Sequence, residues 1–438
     1  MDAILVMNTP NVTTRRDFLK TSALVGGALA APAILQQKLF AQGATGTLRV
    51  GLIGCGGRGT GAASQALDAD KDTVLHAMAD VFDDQLQRSL AILKKQHPDK
   101  VKVTPETSFI GLDAYKKVIE ISDVVILTTP PGFRPVMLRA AVEAGKHIFC
   151  EKPMATDVPG IRSVMESANL VPEKNISLVA GFCWRRDFAR REFYKRIHEG
   201  AIGDIRAIYA TYYTGPVRPM PPASDRPADY TDLEWQLRNW YNFVWLCGDG
   251  YVEQCCHSVD KVAWALKDQH PLKAVAVGGR GIPNNQGNIF DHMFVVYEFP
   301  NEVRGFVGQR QVSNTFSENS DYIMASNGFG KIPGWQAPYF ERDGKMFWRY
   351  HGPSSDMYQV EHNELFASIR SGNHINDGHW MAQSTLMGLM GRIAAYTGKE
   401  VTWEEALNSQ QKLVPDNLTW DMKLPIRPMA VPGETPLV

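Results

Sequence analysis

The sequence predicts an α/β domain built on a parallel sheet, followed by an α+β domain with a largely antiparallel open sheet. Three observations carry this prediction. A glycine-rich run, Gly54-Cys55-Gly56-Gly57-Arg58-Gly59, directly follows a short apolar strand. Apolar strands then alternate with helical stretches, and beyond residue 203 strands succeed one another without helices until two helical stretches close the chain. The 438 residues exceed one ordinary domain, and 44% hydrophobic with 21% charged residues is a globular composition. With 46 basic against 47 acidic residues the formal charge is -1, which leaves no general basic field to hold nucleic acid. Six cysteines without a CxxC pair are too sparse for a disulfide scaffold or a zinc site, and no metal is expected.

Residues 1–42 read as an export signal. Thr14-Arg15-Arg16-Asp17-Phe18-Leu19-Lys20 precedes a small-residue apolar run, 23–35, that is shorter than the ~20 residues of a membrane span. The paired arginines resemble the twin-arginine type, whose machinery carries folded proteins. That machinery would then be a partner, and the periplasm or cell envelope the destination. An uncleaved anchor is the alternative. Cleavage would remove four basic and two acidic residues and leave a net charge of about -3.

Residues 43–175 read as the first domain. Gly54 permits a tight turn after the strand 48–53, Gly56 lets the backbone approach a pyrophosphate, and Gly59 allows close packing of the next helix. The stretch 61–67 has helical composition, and a second strand at 74–79 ends in Asp80. An acidic side chain there accepts hydrogen bonds from ribose hydroxyls and repels a 2'-phosphate, so NAD is favoured over NADP. Strands at 123–128 and 147–150 flank a helix at 133–144. This is the order of a Rossmann dinucleotide-binding domain, whose ligand sits at the carboxyl ends of the strands. Cofactor contacts are therefore expected from Gly54, Cys55, Gly56, Gly57, Arg58, Gly59, Asp80, Thr128, Thr129, Pro130, Glu151 and Lys152.

Residues 176–438 read as the second domain. Strands are predicted at 203–214, 272–277, 290–299, 303–312 and 321–325, with Pro300-Asn301 as a turn and a proline-rich loop after the first of them. Helices are predicted at 356–371 and 383–396, the latter with one apolar face. Between the domains, 235–245 carries three tryptophans beside Arg238 and Asn239. Trp240 is a candidate for stacking on a sugar ring, with plain core packing as the alternative. Arg185 is a second candidate for substrate contact, with a solvated helix start as its alternative.

Glu253, His257 and Asp260 have spacings of i, i+4 and i+7, which place them on one face if the segment is a single helix. A histidine held by a carboxylate can take the proton of an alcohol that is being oxidised, and Lys152 can stabilise the developing alkoxide. Two other readings stay open, a helix-start hydrogen bond between His257 and Asp260 without chemistry, and Glu253 with His257 as metal ligands.

The segment Ala144-Gly145-Lys146-His147-Ile148-Phe149-Cys150-Glu151-Lys152-Pro153 resembles the glucose-fructose oxidoreductase and inositol dehydrogenase (Gfo/Idh/MocA) family. The glycine run at 54–59, Gly181-Phe182 after a strand-like run, and His257-Ser258-Val259-Asp260 support the resemblance. It implies a C-terminal domain whose open sheet faces away from the cofactor and mediates a homodimer or tetramer. It further implies Lys152 near the nicotinamide and the reacting hydroxyl, and His257 as acid/base. The chain departs from the pattern at Glu253, where the better-known dehydrogenases carry Asp, and at Arg134, where His is frequent. The function expected is an exported, NAD-dependent oxidoreductase acting on a secondary hydroxyl of a sugar, polyol or glycoside, with its cofactor retained. A redox-neutral glycosidase working by oxidation and elimination, and a non-catalytic sugar-binding protein, are the alternatives.

Overall fold

The computed structural model describes residues 43–282 and 286–437. The export-signal expectation at 1–42 lies outside the described residues. Six parallel strands form the first sheet: β1 (Leu48–Ile53), β2 (Thr73–Asp80), β3 (Ser108–Ile110), β4 (Val124–Leu127), β5 (His147–Cys150) and β6 (Leu178–Ala180). Their order is β3-β2-β1-β4-β5-β6, so the chain reverses direction across the sheet between β1 and β4. That switch point is where a nucleotide cleft opens in such sheets. The interior strands are predominantly apolar, Val-Val-Ile-Leu in β4 being fully buried, because helices cover both faces.

β6 lies beyond the expected domain boundary at 175 yet pairs with β5 in the parallel sheet. A second intrusion comes from far along the chain: the helix Met357–Ser371 buries Leu365, Phe366 and Ile369 in the same core as Val50, Leu52 and Ala62. Asp356 caps this helix by accepting from the backbone N–H groups of Tyr358 and Gln359. The two domains therefore share structure and are not beads on a linker.

The second sheet has nine strands in the order β14-β13-β12-β11-β7-β10-β9-β8-β15. The predicted strands appear as β7 (Ile205–Thr214), β8 (Lys273–Gly279), β9 (His292–Glu298), β10 (Arg304–Gln311) and β11 (Asp321–Ala325). Short strands β12 (Gly328–Ile332), β13 (Tyr339–Arg342), β14 (Lys345–Arg349) and β15 (Val401–Thr402) extend it. Pairing is antiparallel except between β7 and β10, which run parallel because the helical segment 232–265 intervenes before the next strand. One face of this sheet packs on the helices Cys256–Ala265 and Gly378–Thr397. The latter begins earlier than predicted and is buried nearly all round instead of on one face, because it lies between the sheet and the first domain.

Candidate active site

The cofactor cleft is built at the carboxyl ends of β1, β2 and β4. Gly54 has φ +95, and a Cβ there would lie 2.8 Å from the Thr129 nitrogen, so only glycine makes this turn. Gly59 lets the helix Gly57–Ala69 press against the turn, since its Cβ would fall 2.0 Å from the Gly54 carbonyl oxygen. Thr128 fastens the turn by donating from Oγ1 to the Gly54 oxygen at 2.7 Å. Asp80 accepts from the Cys55 N–H at 2.6 Å and from the Phe82 N–H at 3.0 Å. Burial raises its pKa, and the backbone donors of Cys55, Phe82 and Val81 oppose that shift.

A cavity of about 340 Å³ follows from this geometry. Of the expected cofactor residues, Gly54, Gly56, Gly57, Arg58, Gly59, Asp80, Thr128, Thr129 and Pro130 line it, while Cys55 lines an adjoining hollow. Glu151 and Lys152 do not line it. Gly56 and Gly57 would each place a Cβ with no heavy atom within 4 Å, leaving bare backbone facing the space a diphosphate needs. A dinucleotide fits this cradle. Trp240 lines the same cavity, beside Arg238 and Phe133. Trp235 and Trp245 are core residues, and the Gln236 side chain accepts from Trp245 Nε1 at 2.7 Å.

The second half of the site centres on Lys152, which follows β5 at a cis Lys152-Pro153 bond. Its Nζ donates to the Glu253 carbonyl oxygen at 2.6 Å and meets Glu253 Oε1 at 3.2 Å. Burial is the largest influence and opposes the ammonium charge, but Glu253 together with Cys256, Glu151 and Tyr212 outweighs it, and the Lys152 pKa stands above its ordinary value. Burial likewise opposes the Glu253 carboxylate, and Lys152 with Tyr241 and Gln254 holds its pKa below the usual one. The network continues outward: Gln254 Nε2 donates to Glu253 Oε2 at 2.7 Å, and the Tyr212 hydroxyl donates to Gln254 Oε1 at 2.6 Å. Arg134 braces the turn from below by donating to the Pro153 carbonyl. Gly181 makes room for the carboxyl of Glu151, which a Cβ there would meet at 2.7 Å. Glu151 in turn pairs with Arg58, and Arg58 reaches Glu361 on the helix 357–371 at 3.2 Å.

His257 is buried, edge-on to Phe182 and Trp184, and its Nδ1 has no partner among the described residues. Burial first, then the charges of Lys152 and Lys261, push its pKa well below the ordinary value. That direction favours the neutral imidazole at neutral pH.

Two expectations need correction. Glu253, His257 and Asp260 are not carried by one unbroken helix: Glu253 ends the helix Gly250–Glu253, while His257 and Asp260 lie on the helix Cys256–Ala265. No carboxylate holds His257 either. Asp260 accepts from Arg185 Nη2 at 2.7 Å and from Ser384 Oγ at 2.7 Å. A planar guanidinium offers two aligned donors and wins a buried carboxylate over a single imidazole N–H. Arg185 also pairs with Asp268 and lies 4.0 Å over the Trp380 ring, so its donors serve the fold. Among the described residues no cluster of three or more His, Cys, Asp or Glu is arranged to hold a metal ion, and the Glu253 carboxylate is committed to Lys152. Sequence reasoning missed Tyr212 and Gln254. Only the alternation of β7, which turns Tyr212 toward the packed face, could have pointed to the first.

Fold and site together define a nucleotide-binding Rossmann domain joined to an open-sheet domain, with a lysine and a histidine where the two meet. Comparison with known proteins agrees. Residues 48–175 match the family model GFO_IDH_MocA, described as an oxidoreductase family with an NAD-binding Rossmann fold. A levoglucosan dehydrogenase of Pseudarthrobacter phenanthrenivorans is 37% identical over 100 residues, 22% of this chain and 25% of that protein. A glycosyl hydrolase family 109 protein of a Shewanella species is 27% identical over 219 residues, 45% of each chain. The matches span only about a quarter to a half of the curated relatives' length. The solved structure of levoglucosan dehydrogenase in complex with NADH and levoglucosan superposes with a TM-score of 0.64 at 20% identity, covering 81% of this chain and 99% of that one. At that identity the likeness establishes the fold.

Proposed function

We propose that this chain is an NAD-dependent oxidoreductase acting on a secondary hydroxyl of a sugar, polyol or glycoside. The observation that carries this reading is a buried Lys152 ion-paired with Glu253, together with a buried His257 whose Nδ1 has no partner among the described residues. An ammonium has three donors, and Glu253 takes two of them, which leaves one for a substrate oxygen. That contact stabilises the oxygen as it becomes an alkoxide. The neutral imidazole accepts the hydroxyl proton. When bound, the nicotinamide supplies the acceptor for the hydride that leaves the same carbon. Asp80, lining the cleft, supports NAD over NADP through its repulsion of a 2'-phosphate. A screen of sugars, polyols and glycosides under anaerobic single-turnover conditions tests the proposal. It expects reduced nucleotide to form on the protein with at least one compound class, and silence across all of them overturns it.

The similarity to a family 109 glycosyl hydrolase favours a second reading, in which oxidation makes the adjacent carbon acidic, the aglycone leaves by elimination, water adds to the resulting unsaturated ketone, and the hydride returns. Aglycone release without net reduced nucleotide distinguishes it. The paired arginines at 15–16 support export by the twin-arginine route to the periplasm or envelope, where a cofactor retained on the protein closes its own redox cycle. Nucleotide released from protein purified from that compartment tests this. A second copy is proposed to cover the outer face of the second sheet, where Val275 and Val277 are exposed and Tyr209 stacks on Tyr322. Analytical ultracentrifugation reads the resulting dimer or tetramer.

A further inference from the structure

The cofactor cleft is positive in places, but most of its cations are already spent. Arg58 is paired with Glu151 and Glu361, and Arg238 with Asp84 and Glu234. The remaining guanidinium in the lining belongs to Arg218, which arrives from the second domain on the loop after β7. Arg218 is exposed and forms no ion pair among the described residues. Its backbone is nevertheless fixed. Asn242 Nδ2 donates to the Arg218 carbonyl at 3.2 Å, and Pro216, Pro219, Pro221 and Pro222 restrict the loop on either side.

The position of this side chain is distinctive. Arg218 lines the main cleft together with Gly56 and Gly57, and it lines the adjoining hollow together with Gly56, Gly57 and Thr60. It also borders a third cavity of about 230 Å³ with Tyr241 and Gln311, close to the network that holds Lys152. The glycine turn offers a diphosphate only N–H dipoles, and a dinucleotide brings two negative charges that the paired arginines cannot fully neutralise.

We infer that Arg218 is the cofactor clamp: its guanidinium closes over the dinucleotide diphosphate from the second domain and holds the nucleotide on the protein between turnovers. This rests on the proposed nucleotide-dependent function. It assigns to a loop outside the family-matched segment the charge that the glycine turn lacks, and it links nucleotide retention to the cavity beside the Lys152 network.

The test reads nucleotide binding and needs no substrate. NADH loaded on the full chain is chased with excess NAD, and its dissociation is followed by fluorescence. Arg218→Gln is expected to raise the dissociation rate and weaken equilibrium binding by about 10- to 100-fold, the range of one charge-assisted contact. It should also flatten the salt dependence of binding, and Arg218→Lys should recover part of the loss. Arg88→Gln, which removes an exposed arginine that lines only the outer hollow, is expected to have little effect. Unchanged dissociation in Arg218→Gln, or an equal effect from Arg88→Gln, overturns the clamp while leaving nucleotide-dependent chemistry intact. A wild-type protein that binds no NADH overturns both.

Discussion

Removing the Glu253 charge while keeping its shape, as in Glu253→Gln, isolates what the Lys152–Glu253 pair does. The two groups meet at 3.2 Å with side-chain exposures of 10% and 7%. At an effective dielectric of about 20 this is roughly 5 kcal/mol of attraction before desolvation, and breaking such a buried pair costs about 3–5 kcal/mol. In the wild type the Lys152 pKa is raised, so the ammonium persists through neutral and mildly alkaline pH and is lost only as pH rises through that elevated value. Without Glu253 the largest remaining influence is burial, which lowers the Lys152 pKa. Losing about 5 kcal/mol of attraction corresponds to roughly four pKa units. The assay is the single-turnover rate of nucleotide reduction from pH 5 to 10. The wild type should show no alkaline limb, and an acid limb lying below the ordinary histidine range because the His257 pKa is depressed. Glu253→Gln should acquire an alkaline limb below about pH 10 and a lower plateau. A flat alkaline profile in the variant would refute the role given to the pair, and an acid limb in the wild type near the ordinary histidine value of about 6.5 would refute the neutral-imidazole assignment.

Asp80→Ser should weaken NAD binding by about tenfold and narrow or reverse the preference against NADP, read by titration of both nucleotides; an unchanged preference would remove Asp80 as the selector. Arg185→Ala leaves Asp260 buried without its cation, and should cost about 3–5 kcal/mol in denaturant unfolding while leaving the pH profile of the single-turnover step in place. A stable Arg185→Ala variant with a shifted profile would return Arg185 to the reacting centre.

Much of the first domain is readable in the chain because its cues are local. The glycine turn, the strand that ends in Asp80 and the Glu-Lys-Pro segment each combine apolar periodicity with a special backbone position over a few residues. Lys152, Glu253 and His257 were legible as residue types suited to the chemistry. Their partners were not, because partnership here is decided by contacts across 75 to 101 positions, as in Arg185 with Asp260 and Lys152 with Glu253. The i, i+4, i+7 spacing misled because it presumes an unbroken helix, and the break at Gln254-Cys255 carries no proline or glycine to announce it. β12, β13 and β14 escaped prediction because they are short and interrupted by Gly330, Glu341 and exposed charged residues. Helix 357–371 gave no sign that its apolar face completes the first domain's core, since amphipathicity states that a face is buried and not against what.

The central claim is that a hydride leaves a substrate carbon while His257 takes the hydroxyl proton. The most direct measurement uses a turned-over sugar or glycoside deuterated at each secondary carbon in turn, with the nucleotide released after a single turnover and analysed by mass. The account predicts deuterium in the wild-type nucleotide from one ring position only, with a slowed step for that isotopomer, and a rate lower by about 10²–10⁴ in His257→Asn. Nucleotide that never acquires label while substrate is consumed, or a His257→Asn protein that labels as fast as the wild type, would contradict it.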